Sequence, residues 1–396
     1  DLEATERYCR HADTILKVWA EEEYRKLVEK YPPDLVSKRL SIPEMFEMLT
    51  AYSNFDALPL KEHLTPASAE QFRDTENALS HQLAGRWEGP RPGESWQYDG
   101  DEDLRFVYIP GGRLEHEPPA SFWISANEVT RGSYARLFPR DAHDAGSAGQ
   151  PVTDMSWNDW LELCHTMTMR DKERGVLPED LIYRLPYDDE WSFVYRSGWR
   201  GSAPFPERQA LDQIAWFGGN SLYRAHPVRR KQPGPQGLFD LIGNVDELVV
   251  PRECAGAEEL KLGNYGGSFR DWRLAPEPGC FNDPDSLVEP WSGARLVLGP
   301  GTSDYFQKMW YTGSVHAVET DGMHYEVFGG PQAAWDGESA TEWSNLLGAR
   351  LAILDSPAKR QNIFQQLPRL TRLSCLVGGV RKEGKWVWQD GGTVYN

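Results

Sequence analysis

Cysteine is the first residue type to search for chemistry, and Cys9, Cys164, Cys254, Cys280 and Cys375 are few, odd in number and widely spaced. Without a CxxC pair they indicate neither a zinc knuckle nor a disulfide framework. His11, His63 and His81 stand alone, with no spacing that would bring two of them together on one helix face. The carboxylates offer more. Asp246 and Asp271, with Ser268 between them in Tyr265-Gly266-Gly267-Ser268-Phe269, could pair for acid/base work or bind a cation. Their spacing fits two solvated surface carboxylates better. Cys254 and Cys280 flank the same glycine-serine element, and a pocket that joined them would be reactive; a structural role is the simpler expectation.

Composition narrows the classes. With 40% hydrophobic and 12% aromatic residues, the 396-residue chain can build two or three packed domains. Its formal charge of −18, with Arg229-Arg230-Lys231 as the one dense basic run, argues against an extended nucleic-acid contact. No apolar run approaches the roughly 18–20 residues that span a bilayer. The first residue is Asp1 and no charged-then-apolar leader follows it, so the sequence reads as an excerpt or a processed product of a longer parent.

The elements that must position these groups follow from periodicity. Residues 1–88 read as helical. Tyr8, Ala12, Ile15 and Trp19, then Tyr24, Leu27, Val28 and Tyr31, form one apolar stripe at three- and four-residue spacing. Pro32-Pro33 stops that helix. Ser41-Ile42-Pro43-Glu44 is a capping-box pattern that opens a second helix over Met45 to Tyr52. Thr65-Pro66 opens a third, with Phe72, Leu79 and Leu83 on one side. Residues 89–103 are rich in proline, glycine and acid and read as a linker. Residues 104–300 change to short strands with many glycines and tryptophans, 301–312 form a second seam, and 313–396 a last module. Ser156 and Asp159 favour a helix start, with Trp160, Cys164 and Met167 on its buried stripe.

Order and wording of the central motifs carry a resemblance. Phe106-Val107-Tyr108-Ile109-Pro110, Phe122 to Thr130, Pro151-Val152 with Ser156-Trp157, Tyr183-Arg184-Leu185-Pro186 with Asp189-Glu190-Trp191, Trp216 to Ser221, GLFDLIGNVDEL over 237–248, Tyr265 to Phe269 and Gly293-Ala294-Arg295 follow one another. Together they resemble the formylglycine-generating-enzyme (sulfatase-modifying factor) family. The resemblance implies an α+β, irregular C-type-lectin-like fold. It also implies copper held by two cysteines, which the family places where this chain has Asp271 and Pro276, and a cleft tryptophan where this chain has Asp246. A carboxylate is too hard a ligand to replace a thiolate on Cu(I). Copper and the oxidase are therefore not expected, and Asp246, Ser268 and Asp271 are left as residues of an altered cleft.

Calcium is expected instead. The resemblance implies a structural Ca2+ turn ligated by the side chains of Asp240 and Glu247 and the carbonyls of Gly243 and Val245, oxygen donors suited to that ion. A second family site would fall near Asn220 and Leu222, where the completing loop looks shortened. Iron-binding relatives carry an HxxxH cluster that residues 1–88 lack.

The last module, with His324-Tyr325-Glu326-Val327-Phe328, Trp335 to Trp343, Leu347 to Ile353 and Gly384 to Gly391, resembles the first half of a C-type lectin domain. Ser344 stands where the usual cysteine would be, and the sugar-ligating loops would lie beyond Asn396. The leading expectation is a multidomain, non-catalytic binding or scaffold protein, a pseudoenzyme that presents the central domain and the lectin-like module to a protein or glycan partner. The alternative is a formylglycine-generating oxidase. The resemblance favours an extracytoplasmic location.

Overall fold

The computed structural model describes residues 2–38, 40–111, 118–138, 148–153, 155, 157–198, 208–234, 236–252, 262–272, 290–301 and 305–306, together with four strands beyond 313. Three helices come first: α1 (Leu2–Lys30), α2 (Ile42–Asp56) and α3 (Pro66–Ala84). The capping box forms, with the Ser41 amide donating to Glu44 at 2.7 Å and the Glu44 amide returning to Ser41 Oγ at 3.4 Å. Thr65 Oγ1 likewise accepts from the Ser68 amide. Tyr24, Tyr52, Phe55 and Phe72 build an aromatic core between the helices, Tyr52 stacked on Phe72 at 5.5 Å.

The expected stripe on α1 divides in two. Tyr24 is buried and Leu27, Val28 and Tyr31 pack beside it, whereas Ile15 and Trp19 are exposed. Among the described residues, α2 and α3 pack on the C-terminal half of α1, so periodicity alone overstated the buried face.

The central region is built on a five-stranded antiparallel sheet ordered β1-β2-β3-β8-β4. Its strands are β1 (Trp96–Gln97), β2 (Arg105–Ile109), β3 (Phe122–Ser125), β4 (Leu181–Arg184) and β8 (Val297–Pro300). The last strand in sequence thus enters the middle of the sheet. Packed with it are α4 (Arg131–Leu137), α5 (Trp157–Glu173), α6 (Asp188–Gly198) and α7 (Arg208–Ile214), and a smaller sheet ordered β6-β5-β7, with β5 (Asp246–Val249), β6 (Gly263–Tyr265) and β7 (Ser292–Gly293).

Cys164 on α5 is buried, as its place on the stripe requires, and burial holds its thiol far above the usual range. The helix cap expected at Ser156 lies outside the described residues. The stretch read as a linker is part of the sheet: β1 pairs with β2, and Trp96 Nε1 donates to the Tyr183 hydroxyl at 2.8 Å. Asn54 of α2 ties the helices to the sheet, donating to the Gly111 carbonyl and accepting from the Tyr108 and Ser121 hydroxyls.

Beyond residue 313 the described strands are β9 (Ser314–Thr320) paired with β10 (Met323–Phe328), and β11 (Gly379–Lys382) paired with β12 (Lys385–Trp388), both antiparallel. Trp335 to Trp343, Leu347 to Ile353 and Ser344 lie outside the described residues. Among the described residues no helix is long and apolar enough to cross a membrane.

Candidate functional site

The turn that leads into β5 is bent by four positive-φ residues, Asp240 (52°), Gly243 (78°), Asn244 (59°) and, at its start, Gly237 (79°). Gly243 is required for a second reason. A Cβ there would lie 2.2 Å from the Trp216 carbonyl oxygen, because the Asn244 amide is pulled onto that oxygen at 2.7 Å. Buried Asn244 then joins three further segments. Its side chain accepts from the His226 amide at 2.9 Å and donates to Glu128 Oε2 at 3.2 Å, and its carbonyl accepts from the Phe269 amide at 2.7 Å. The segments around 216, 226 and 269 are therefore fixed by one Gly-Asn pair, which is the physical content of the GNV motif.

Three acids meet behind this turn. Glu128 is fully buried and accepts from the Val245 amide at 3.3 Å. Burial, with Asp240 and Glu247 adding to it, pushes its carboxyl well above the usual range. Burial likewise pushes Asp240 up to about 6, against the Arg229 amide that donates to its Oδ2 at 2.8 Å; its Oδ1 is buried without a hydrogen-bond partner. The third acid, Glu247 on β5, lies in the core. Both of its oxygens face Arg295, Oε2 at 2.6 Å from Nε and Oε1 at 2.5 Å from Nη2, and Trp191 Nε1 also donates to Oε2 at 2.6 Å.

The calcium set expected from the resemblance, Asp240, Gly243, Val245 and Glu247, shares this one turn. The fit fails at Glu247, whose carboxylate is already neutralised by a buried guanidinium. Among the described residues no group of three or more His, Cys, Asp or Glu side chains could hold a metal ion. Asn220, from the second expected site, caps its own turn instead: Oδ1 accepts from the Phe217 amide at 2.9 Å and Nδ2 donates to Asp212 and to the Ala215 carbonyl.

The altered-cleft residues are distributed as follows. Ser268 and Asp271 come together, Asp271 Oδ2 accepting from the Ser268 amide at 2.7 Å and from its hydroxyl at 2.9 Å. The Asp271 carbonyl also accepts from the Gly218 amide at 2.9 Å. Asp246 sits on β5, half-buried, its amide donating to the Trp291 carbonyl at 3.0 Å. Pro276, Cys254 and Cys280 lie outside the described residues.

Beside the Ser268–Asp271 knot is a surface that motif spacing did not reveal. Leu222, Tyr223 and Trp272 are 79%, 57% and 62% exposed. Leu222 and Tyr223 are consecutive left-handed residues (φ 56° and 55°), a conformation that costs a non-glycine residue roughly 1–2 kcal/mol. Ser221 holds them there: its hydroxyl donates to the Phe269 carbonyl at 2.6 Å and accepts from the Tyr223 amide at 3.1 Å. Trp272 Nε1 donates to the Tyr223 hydroxyl, and the two rings meet edge-on at 6.1 Å. Arg295 and Glu128 were also missed as site residues. A lone arginine in Gly293-Ala294-Arg295-Leu296-Val297-Leu298 was the available signal, since a charge in an apolar run is buried only with a partner.

Residues 105–271 match the sulfatase-modifying factor enzyme 1-like domain. A relative, the inactive C-alpha-formylglycine-generating enzyme 2 of Bos taurus, is 28% identical over 169 residues, 38% of this chain. The chain spans 51% of that relative's length. Among solved structures, the Treponema denticola variable protein 1 aligns at 17% identity and a TM-score of 0.39, over 52% of this chain and 99% of its own. CarF aligns at 20% identity and 0.40, over 50% and 98%. PvdO from Pseudomonas aeruginosa aligns at 19% and 0.37, over 53% and 99%. The turn, its acids and the Ser268–Asp271 knot all fall inside residues 105–271, the stretch that matches the sulfatase-modifying factor enzyme 1-like domain.

Proposed function

We propose that this chain is a non-catalytic member of the sulfatase-modifying-factor type, a scaffold that binds a protein or glycan partner. One observation carries the reading. Where the resemblance places a copper-binding cysteine, Asp271 is folded onto the Ser268 amide and hydroxyl. The position is used to close a loop, and an oxygen there is a poor Cu(I) ligand. The relative from Bos taurus is itself named as inactive, which agrees with that reading.

The face for a partner is the exposed ridge of Leu222, Tyr223 and Trp272, since aromatic side chains left in water on a strained loop are unusual without a ligand. Residues 313–396, read as lectin-like, would add a second recognition surface. The full chain is assayed on a glycan array and in a protein pull-down, in parallel with the double variant Tyr223→Ala/Trp272→Ala. A signal lost in the variant supports the reading, and silence in both assays overturns it. Incubation with Cu(I), oxygen and a CxPxR peptide should leave the peptide cysteine unconverted by mass spectrometry. Conversion would establish the alternative, a formylglycine-generating oxidase.

A further inference from the structure

Arg295 does what a bound cation does in a loop-rich domain. Four of its N–H contacts end on oxygen: Nε and Nη2 on the Glu247 carboxylate, Nη1 on the Ser125 carbonyl at 3.0 Å, and Nη2 again on the Phe239 carbonyl at 3.0 Å. These oxygens come from β5, from the end of β3 and from the residue just before Asp240. All are hard donors of the kind that coordinate calcium. The guanidinium is completely buried, with the Glu128 and Asp240 carboxyls also in its surroundings. A divalent ion at Glu247 would have to displace this cation or sit against it, and the displaced guanidinium would lose its partners in a water-free core.

From this oxygen cage we infer that Arg295 is a built-in substitute for a calcium ion in the turn 240–247, and that the domain folds and holds its cleft without divalent cations. The inference is independent of whether the domain is catalytic.

The test uses the full chain, freed of metal with chelator. Its melting temperature should be the same in EDTA and in millimolar CaCl2, with no stoichiometric calcium retained after dialysis. A bound ion in hundredfold excess over its Kd would instead raise the melting temperature by several degrees. Tb3+ provides a second readout, because Trp191 touches Glu247 and would sensitise emission from an ion in the cage. Wild type should give no sensitised emission that Asp240→Asn removes, whereas Arg295→Ala, with the cage vacated, should gain both emission and a calcium-dependent rise in melting temperature. Calcium stabilisation or Tb3+ emission in wild type that disappears in Asp240→Asn overturns the inference, and this arm stands even if Arg295→Ala does not fold. A folded Arg295→Ala that ignores both ions overturns it as well.

Discussion

Replacing Asp271 with alanine separates a loop-closing role from a chemical one. Asp271 Oδ2 accepts two hydrogen bonds from Ser268, and Ser268 is buried. In Asp271→Ala the Ser268 amide and hydroxyl both lose their acceptor. Hydrogen bonds to a charged acceptor contribute about 1.5–3 kcal/mol, and an orphaned buried donor costs about 1–3 kcal/mol. These figures overlap, because each describes the loss of the same bonds. Asp271 is half-exposed and water can recover part of the loss, which puts the expected destabilisation near 2 kcal/mol. For a region of this size that corresponds to a fall of roughly 4–8 °C in melting temperature. Asp271→Asn keeps one oxygen in place and should lose about half as much. The measurement is urea unfolding followed by tryptophan fluorescence, with partner binding read in parallel. An Asp271→Ala protein within about 0.5 kcal/mol of wild type would refute the reasoning, because the carboxylate would then be free for other work. A stable Asp271→Asn protein that had lost binding would do so too.

Two further outcomes follow from single positions. Gly243→Ala combines a φ of 78° with a Cβ 2.2 Å from the Trp216 carbonyl oxygen. Backbone strain of about 1–2 kcal/mol and overpacking of about 1–3 kcal/mol should together destabilise the domain by about 2–5 kcal/mol, and denaturant unfolding that shows a loss under about 1 kcal/mol would contradict this. On α3, Glu76 is pushed up to about 6 from its ordinary 4.5 by burial and by Asp56, with Lys61 opposing. Its protonated form is the one the fold prefers, so the stability it contributes is full below 4.5 and is lost as pH rises through 6. Glu76→Gln, which mimics the protonated acid, should therefore gain about 1 kcal/mol at pH 7.5, after discounting for partial exposure, and nothing at pH 4. Thermal melts at the two pH values check it, and an equal gain at both would point to a cause other than titration.

Residues that act on near neighbours were legible in the sequence. The Ser41–Glu44 box, the Thr65 cap and the Cys164 stripe follow from spacings of three and four, and the fold reproduces Ser41–Glu44, Thr65 and Cys164 as read. Short strands were expected across 104–300 only as a texture, and β2 and β3 are two of them. What spacing could not give is which distant segment covers an element. Ile15 and Trp19 have the right periodicity and nothing over them among the described residues, and Trp96 looked like linker until β2 and Tyr183 met it. The site suffered most, because Glu247 and Arg295 are 48 positions apart and Glu128 and Asn244 are 116 apart. A motif read along the chain assigns Glu247 by analogy; only its three-dimensional neighbours decide whether it faces an ion or a guanidinium.

That distinction separates what a signature says of a scaffold from what it says of a reaction. In GLFDLIGNVDEL four residues have work inside the fold. Gly243 admits the Trp216 carbonyl, Asn244 joins three loops, Val245 presents its amide to Glu128, and Glu247 neutralises Arg295. Exchanging any of these leaves a clash or an orphaned buried polar group, each costing about 1–5 kcal/mol in a domain with roughly 5–15 kcal/mol to lose. Asp246 and Asp271 are half-exposed, and losing the Asp271 carboxylate costs about 2 kcal/mol, toward the lower end of that range. A matched domain is consequently strong evidence for the scaffold, while the reaction has to be argued from the half-exposed positions, which here build a loop closure beside an aromatic ridge.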